Sequence, residues 1–209
     1  MIYPDSPMPV SVDFLKRIDA DPPGTWLAQP KLDGWRRVLV YEKGEWSQFA
    51  KHHSEGSDRT LPLALWDALK AWSPRDGTVF DAEWMGMRCK DVAGQRTHSL
   101  HVFDLLRFEG DWLRGTPFWL RYETLGRLLP AVEISGRGPE WQQRTIFQVR
   151  AYPNPGLVDF FQQQMQDPLS EGLVVRRADS KLILSTRACA DNPMVFKCKY
   201  RGIKEKVRA

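Results

Sequence analysis

The chain has 209 residues, 42% of them hydrophobic and 27% charged, with a net charge of +4. Such proportions, at a length that buries roughly 70% of the unfolded surface, exclude wholesale disorder and make a disulfide scaffold unnecessary. No run approaches the ~18 consecutive apolar residues of a spanning helix, which excludes a helical membrane protein, and residues 1–5 do not begin a secretory signal.

Along the chain, Pro4, Pro7 and Pro9 suggest an irregular arm, after which Val12, Leu15 and Ile18 share one helical face and predict a helix over 11–20. Strands are expected at 26–31 and 35–41, on either side of the turn-forming Asp33-Gly34, and at 45–50 after a tight turn at Lys43-Gly44. Residues 52–59 are polar and read as a loop. A helix over 63–72 follows, with Leu65, Leu69 and Trp72 on one side. Strands at 78–84 and 100–107 flank a polar loop at 90–97, and Pro117 opens a helix ending near Leu129. A strand at 145–151, the Asn154-Pro155-Gly156 punctuation, a helix at 157–165, and strands at 172–177 and 194–200 complete the pattern. Strands with interspersed helices predict an α+β domain with mainly antiparallel sheets flanked by helices, and the lack of a Gly-rich phosphate loop after a strand disfavours a Rossmann unit.

Cys89, Cys189 and Cys198 are odd in number without metal spacing, which suits free thiols in a reducing cytoplasm. His52, His53, His98 and His101 show no ligand spacing with cysteine, so no zinc site is expected. Nine tryptophans are present, several beside basic residues (Trp35 with Arg36 and Arg37, Trp112 near Arg114, Trp141 near Arg144), and most read as packing residues.

The segment Lys31-Leu32-Asp33-Gly34-Trp35-Arg36 carries most information. Lys-x-Asp-Gly alone is expected by chance in about 5% of chains this long and is compatible with a simple hairpin; requiring the Arg lowers that to roughly 0.3%. Four further segments follow in order: Phe80-Asp81-Ala82-Glu83, Val102-Phe103-Asp104-Leu105-Leu106, Glu171-Gly172-Leu173-Val174-Val175-Arg176-Arg177, and Phe196-Lys197-Cys198-Lys199. Together the five resemble the motifs of the covalent lysine nucleotidyltransferases, which comprise ATP-dependent DNA ligases, RNA ligases and mRNA capping enzymes. Ala82 departs from the glycine usual in the second motif. The stretch from Phe103 through Trp112 to Arg121 and Leu125 resembles bacterial and phage ATP-dependent DNA ligases in particular.

The resemblance implies an ATP-grasp-like fold and a single adenylylation domain over 1–209. It makes Lys31 the catalytic nucleophile and ATP the co-substrate. Phe103 would stack on the purine, Gln29 would read the adenine amino edge, and Lys197 and Lys199 would meet the phosphates. Leu32, Arg36, Glu83 and Val175 complete the expected nucleotide contacts. Asp81, Glu83 and Glu171 would hold Mg²⁺ or Mn²⁺, for which hard carboxylate oxygens are suited. Asp81 and Glu83 stand two apart, so on a strand both project to one face. The family's Ser-Arg segment corresponds to Ala50-Lys51-His52-His53-Ser54-Glu55-Gly56, where Lys51 is the nearest counterpart but offers a point charge in place of a bidentate fork. A lysine amine attacks phosphorus only when deprotonated, and nearby cations and partial burial favour that form.

The implied partner is nicked double-stranded DNA, with RNA as the alternative, and no membrane. A monomer in the cytoplasm of a bacterial or phage-infected cell is expected, serving DNA replication, repair or recombination. Ten residues follow Lys199, too few for the OB-fold domain that usually follows, so two expectations stand open: a catalytic domain cut from a longer ligase, with the OB-fold in a separate domain or protein, or a natural minimal enzyme. Two other readings remain open at this point: an RNA ligase or GTP-using capping transferase, and a non-catalytic nucleotide-binding module. Covalent labelling of Lys31 by ATP, by GTP or by neither, followed by sealing tests on nicked DNA and on RNA, separates them.

Overall fold

The computed structural model describes residues 3–4, 6–50, 60–90, 96–129, 131–132, 145–185 and 191–200. The chain begins with β1 (Tyr3–Pro4), β2 (Ser6–Pro9) and α1 (Val12–Asp19), then β3 (Trp26–Leu32), β4 (Trp35–Glu42) and β5 (Glu45–Ala50). Next come α2 (Leu63–Ala71), β6 (Thr78–Trp84), a 3₁₀ turn (Gly86–Arg88), β7 (Cys89–Lys90), β8 (Arg96–Thr97), β9 (Leu100–Phe108) and β10 (Asp111–Trp112). The remainder is α3 (Phe118–Leu128), β11 (Ala131–Val132), β12 (Ile146–Val149), β13 (Tyr152–Pro153), α4 (Leu157–Gln164), β14 (Ser170–Arg177), β15 (Leu184–Ser185) and β16 (Asp191–Lys199).

Two sheets form the body. A seven-stranded sheet runs β11-β12-β9-β6-β4-β5, with β10 paired to β9, and a five-stranded sheet runs β13-β3-β14-β16-β2. Pairing is antiparallel except at β11–β12, β12–β9 and β16–β2. The fold is α+β, as the sequence pattern implies. Each sheet buries its outer face under two helices, because period-2 apolar residues of the strands meet the apolar stripes of the helices. Leu39, Phe80, Ala82 and Val102 pack with Leu65 and Leu69 of α2 and Leu125 of α3. Ala28, Leu173, Val175 and Cys198 pack with Leu15 and Ile18 of α1 and Phe160 and Phe161 of α4. The two inner faces define a cleft.

Local chemistry explains the element ends. Lys43 and Gly44 both have positive φ (54° and 76°), the left-handed pair of a two-residue hairpin closing Glu42 against Glu45. The Asp19 carboxylate accepts the backbone N–H groups of Gly156 and Leu157 at 2.8 and 2.9 Å, so the end of α1 caps the start of α4.

Two expectations are corrected. Asp33-Gly34 is no hairpin turn: β3 and β4 belong to different sheets, and the dipeptide carries the chain from one to the other. The proline-bearing arm is not irregular, since β2 adds in parallel to the edge of β16 and β1 pairs with β15. Proline is tolerated there because an edge strand leaves one side without ladder partners. The polar segment at 90–97 also contributes, with Cys89–Lys90 laddered to Arg96–Thr97. Residues 51–59, including Lys51, and the Trp141–Arg144 pairing lie outside the described residues. No helix among the described residues is long and apolar enough to cross a membrane.

Candidate active site

Lys31 sits at the end of β3 with Gln29 on the same strand face. Immediately afterwards the backbone runs hard against β6. A Cβ on Gly34 would lie 2.6 Å from the Trp84 carbonyl oxygen and 2.8 Å from Glu83 Cγ, which is why glycine stands there. The Gly34 N–H donates to Glu83 Oε1 at 3.1 Å, and the Asp33 N–H donates to the Leu169 carbonyl at 3.1 Å. The crossing therefore places Lys31 on one wall of the cleft and Arg36, five residues on, upon the other.

Glu171 meets Lys31 through a bulge. Ser170 pairs with Leu32 and Leu173 with Pro30, so β14 carries one residue more than β3 across this step. Gly172 has φ +146°, and a Cβ on it would fall 1.9 Å from the Cys198 carbonyl oxygen, so only glycine fits. The Glu171 carboxylate accepts Lys31 Nζ on Oε1 and Lys199 Nζ, at 3.0 Å, on Oε2. Burial pushes its pKa up, but the two ammonium groups outweigh burial and hold it below the ordinary carboxylate value.

On the facing wall, Arg36 grips Asp81 with both arms of its fork, Nε to Oδ1 at 2.8 Å and Nη2 to Oδ2. Burial raises the Asp81 pKa against the opposing pull of Arg36. Burial likewise pushes Glu83 up to about 7, although Lys31 and Arg36 draw it down. Phe103 is the extra residue of a second bulge, between the Asp81–Asp104 and Ala82–Val102 pairs. Its carbonyl accepts Gln29 Nε2 at 3.4 Å, and that nitrogen also donates to the Val149 carbonyl at 3.1 Å. The Arg36 guanidinium lies 5.6 Å from the Phe103 ring centroid.

These groups line one cleft of about 610 Å³, a size suited to a small-molecule ligand. It combines an aromatic ring and a buried amide with a set of ammonium and guanidinium groups, the chemistry of a nucleobase pocket joined to a polyphosphate pocket.

No family model and no curated protein matches this sequence. Solved structures do. A mycobacterial DNA ligase D in complex with ATP and MES superposes with a TM-score of 0.62 at 18% identity, over 95% of this chain and 60% of that one. The ATP-dependent DNA ligase of bacteriophage T7 in complex with ATP gives 0.57 at 15% identity, over 95% and 68%. A Lig E DNA ligase, described as binding DNA with a minimal scaffold, gives 0.53 at 14%, over 93% and 68%. The chain has the nucleotidyltransferase fold of ATP-dependent DNA ligases. It spans 60% of the first of these structures and 53% of the Mycobacterium tuberculosis LigD ligase domain.

Within this nucleotidyltransferase fold, Gln29, Lys31, Leu32 and Arg36 line the cleft from β3 and β4. Asp81, Glu83 and Phe103 line it from β6 and β9, and Lys197 and Lys199 from β16. Glu171 joins them through its two lysine contacts. Val175 does not: it is fully buried against α1 and α4, and Val174 faces the cleft instead. In a regular strand Val175 would share a face with Glu171; the bulge shifts that parity by one residue. Val174 is in register with Gln29 on one side and Lys197 on the other, a row crossing three strands.

The motif reading missed Trp35, Arg37, Asp104 and Arg176 as lining residues, and Pro4 and Pro7 from the N-terminal strands. Arg176 and Asp104 lie inside two of the quoted motifs, so their proximity to the site was signalled there. Pro4 and Pro7 carry no such signal, because β1 and β2 are placed by strands remote in sequence, β15 and β16.

Among the described residues, no three His, Cys, Asp or Glu side chains converge closely enough to form a metal site by themselves. Asp81 is committed to Arg36 on both oxygens. The remaining donors, Glu83 and Glu171, fit a Mg²⁺ ion of the kind held by one or two carboxylates and completed by phosphate oxygens and water.

Proposed function

We propose that this chain is the catalytic core of an ATP-dependent DNA ligase, with Lys31 as the residue that becomes covalently adenylylated. The observation that carries the reading is the convergence of Lys31, Glu171 and Lys199 at a cleft that Phe103 and Gln29 also line. Gln29 is 2% exposed and its nitrogen is spent on two carbonyls, which turns its oxygen into a fixed acceptor for the adenine amino group. Phe103 offers a stacking face to the purine. Lys197 and Lys199 take the phosphates, and Arg36, fixed by Asp81, adds a guanidinium beside the ring. Lys51 is assigned to the ribose or phosphate by its place in the motif order.

The first step joins Lys31 Nζ to the α-phosphorus of ATP. A P–N bond forms, the bond from that phosphorus to the bridging oxygen breaks, pyrophosphate leaves with the electron pair, and the amine loses a proton to solvent. AMP then passes from Lys31 to the 5′-phosphate of a nick, and the 3′-hydroxyl displaces it as the phosphodiester forms. Glu83 and Glu171 would hold a Mg²⁺ or Mn²⁺ ion, which when bound neutralises charge building on the phosphates. Glu171, clamped between Lys31 and Lys199, keeps the nucleophile pointed into the cleft until phosphate oxygens draw Lys199 away.

Incubation with radiolabelled ATP and Mg²⁺ should label the wild-type protein covalently and leave Lys31→Ala unlabelled. Equal labelling of Lys31→Ala would overturn the assignment. Labelling from GTP alone, or sealing of RNA breaks in preference to nicked DNA, would move the chain to another branch of the superfamily.

A further inference from the structure

We propose that Arg121 is a positioning residue for the nucleotide: together with Arg176 it fixes Asp104, and through it the bulge that presents Phe103 to the base. The proposal rests on the adenylylation reading above.

Arg121 is only 2% exposed, and lies on α3 outside the cleft. Its Nε and Nη2 donate to Asp104 Oδ1 and Oδ2, both at 2.9 Å, and Arg176 Nη1 donates to Asp104 Oδ2 at 2.9 Å. The Leu105 N–H adds a fourth bond, to Oδ1 at 2.9 Å. Asp104 is thus held from three directions, by its own strand, by α3 and by the opposite sheet. Burial pushes its pKa up, yet Arg121 and Arg176 prevail and keep it below the ordinary value. Arg121 Nη1 reaches on to the carbonyls of Thr116 and Ser180, at 2.6 and 3.3 Å, tying the segment before α3 to the segment after β14. The Phe118 ring lies 4.1 Å from the Arg176 guanidinium and 5.6 Å from that of Arg121.

A buried ion network is a poor device for stability, since well-packed apolar groups of the same volume do as well or better. What it supplies is direction. Phe103 is the extra residue of its bulge, so no facing residue of β6 fixes it. Its carbonyl is held by Gln29 of β3, and the next residue, Asp104, is held by Arg176 of β14. Two ties from the five-stranded sheet therefore bracket the ring, and Arg121 locks the second in place. Loosening that lock lets the ring leave the plane the purine needs, while Lys31 and the phosphate-facing lysines, carried by other strands, stay where they are.

The test is the ATP dependence of covalent labelling in single turnover, on the full chain, for wild type, Arg121→Met, Arg121→Lys and Leu125→Ala. Stacking of a base on an aromatic ring is worth about 5- to 150-fold in binding, so its partial loss should be large enough to read. Arg121→Met should raise half-saturating ATP about tenfold while the limiting rate at saturation stays within about threefold. Arg121→Lys, which retains the charge without the fork, should fall between. Leu125→Ala removes core packing from the same helix and should lower the melting temperature without moving half-saturation. Half-saturation within twofold of wild type in Arg121→Met, or an equal rise in Leu125→Ala, overturns the proposal. Should Arg121→Met not fold, Arg121→Lys decides alone: a roughly threefold rise supports the proposal, and no change refutes it. Absence of any adduct on wild type would overturn the adenylylation reading instead. Equilibrium binding of ATP to wild type and Arg121→Lys would then read the positioning role separately.

Discussion

His101 lies on β9 with 0% of its surface exposed, its Nε2 3.0 Å from the Ser99 hydroxyl and its ring 5.6 Å from that of Phe147. Burial lowers its pKa from 6.5 to about 3, so the folded state holds the imidazole neutral through the mildly acidic range, whereas the unfolded chain takes up a proton. A base with a depressed folded pKa stabilises the fold above its unfolded value and loses that contribution as pH falls below it. Between pH 8 and pH 5 the loss amounts to about 2 kcal/mol for a shift from 6.5 to about 3. For a domain of this size that corresponds to about 4–8 °C in melting temperature. Glu83 acts in the opposite sense: raised to about 7, it favours the fold below its unfolded value and loses that contribution as pH rises toward 7. The wild-type profile is therefore a sum, and the difference against His101→Gln isolates the histidine, since glutamine keeps a partner for Ser99 and does not titrate. Thermal melts of both proteins at pH 8 and pH 5 should show the wild type losing 4–8 °C more, on the order set by that linkage. Equal losses in the two proteins would refute the reasoning.

Two further outcomes follow from the site. Gly172→Ala must place a Cβ against the Cys198 carbonyl at a φ that side chains rarely adopt, displacing Glu171 by a fraction of an ångström or more; covalent labelling should slow by roughly 10²-fold, read in a single-turnover assay. Arg36→Lys keeps a charge but loses the fork on Asp81, leaving a buried carboxylate short of one donor, so urea unfolding should show a loss of about 1–3 kcal/mol.

The four helices among the described residues were legible because their apolar residues recur at helical spacing, and the structure places them within a residue or two of the expected ends. The Lys43-Gly44 hairpin was legible because its turn chemistry is local. What escaped depends on partners remote in sequence. Asp33-Gly34 has the composition of a hairpin turn, and only the proximity of Trp84 and Glu83 shows that it crosses between sheets. The bulges at Phe103 and Glu171 are properties of a register between two strands, invisible in either strand alone, and the second moves the cleft-facing position from Val175 to Val174. Motif order named Lys31, Arg36, Asp81, Glu83, Lys197 and Lys199 without geometry, but it passed over Arg37 and could not show that Asp104 and Arg176, members of two motifs, are bonded to each other through the fold.

The carboxylates of the site each meet a donor within it. Glu171 is shared by Lys31 and Lys199, Asp81 is held by Arg36, Asp104 by Arg121 and Arg176, and Glu83 accepts the Gly34 N–H. Leaving a buried charge without a counterpart is expensive, so each of these carboxylates is held by a cation or a backbone N–H of the same site. On the adenylylation reading, ATP binding is then an exchange: phosphate oxygens replace Glu171 as the partner of Lys199, and the released carboxylate oxygen becomes available to a cation that accompanies the phosphates. Asp81 and Asp104 take no part in that exchange, because Arg36 and Arg121 hold them by bidentate forks and Arg176 adds a third bond to Asp104. The lysines are the mobile half of the charge set and the arginines the fixed half. That division matches their chemistry, a flexible point charge where a partner must change and a rigid fork where it must not.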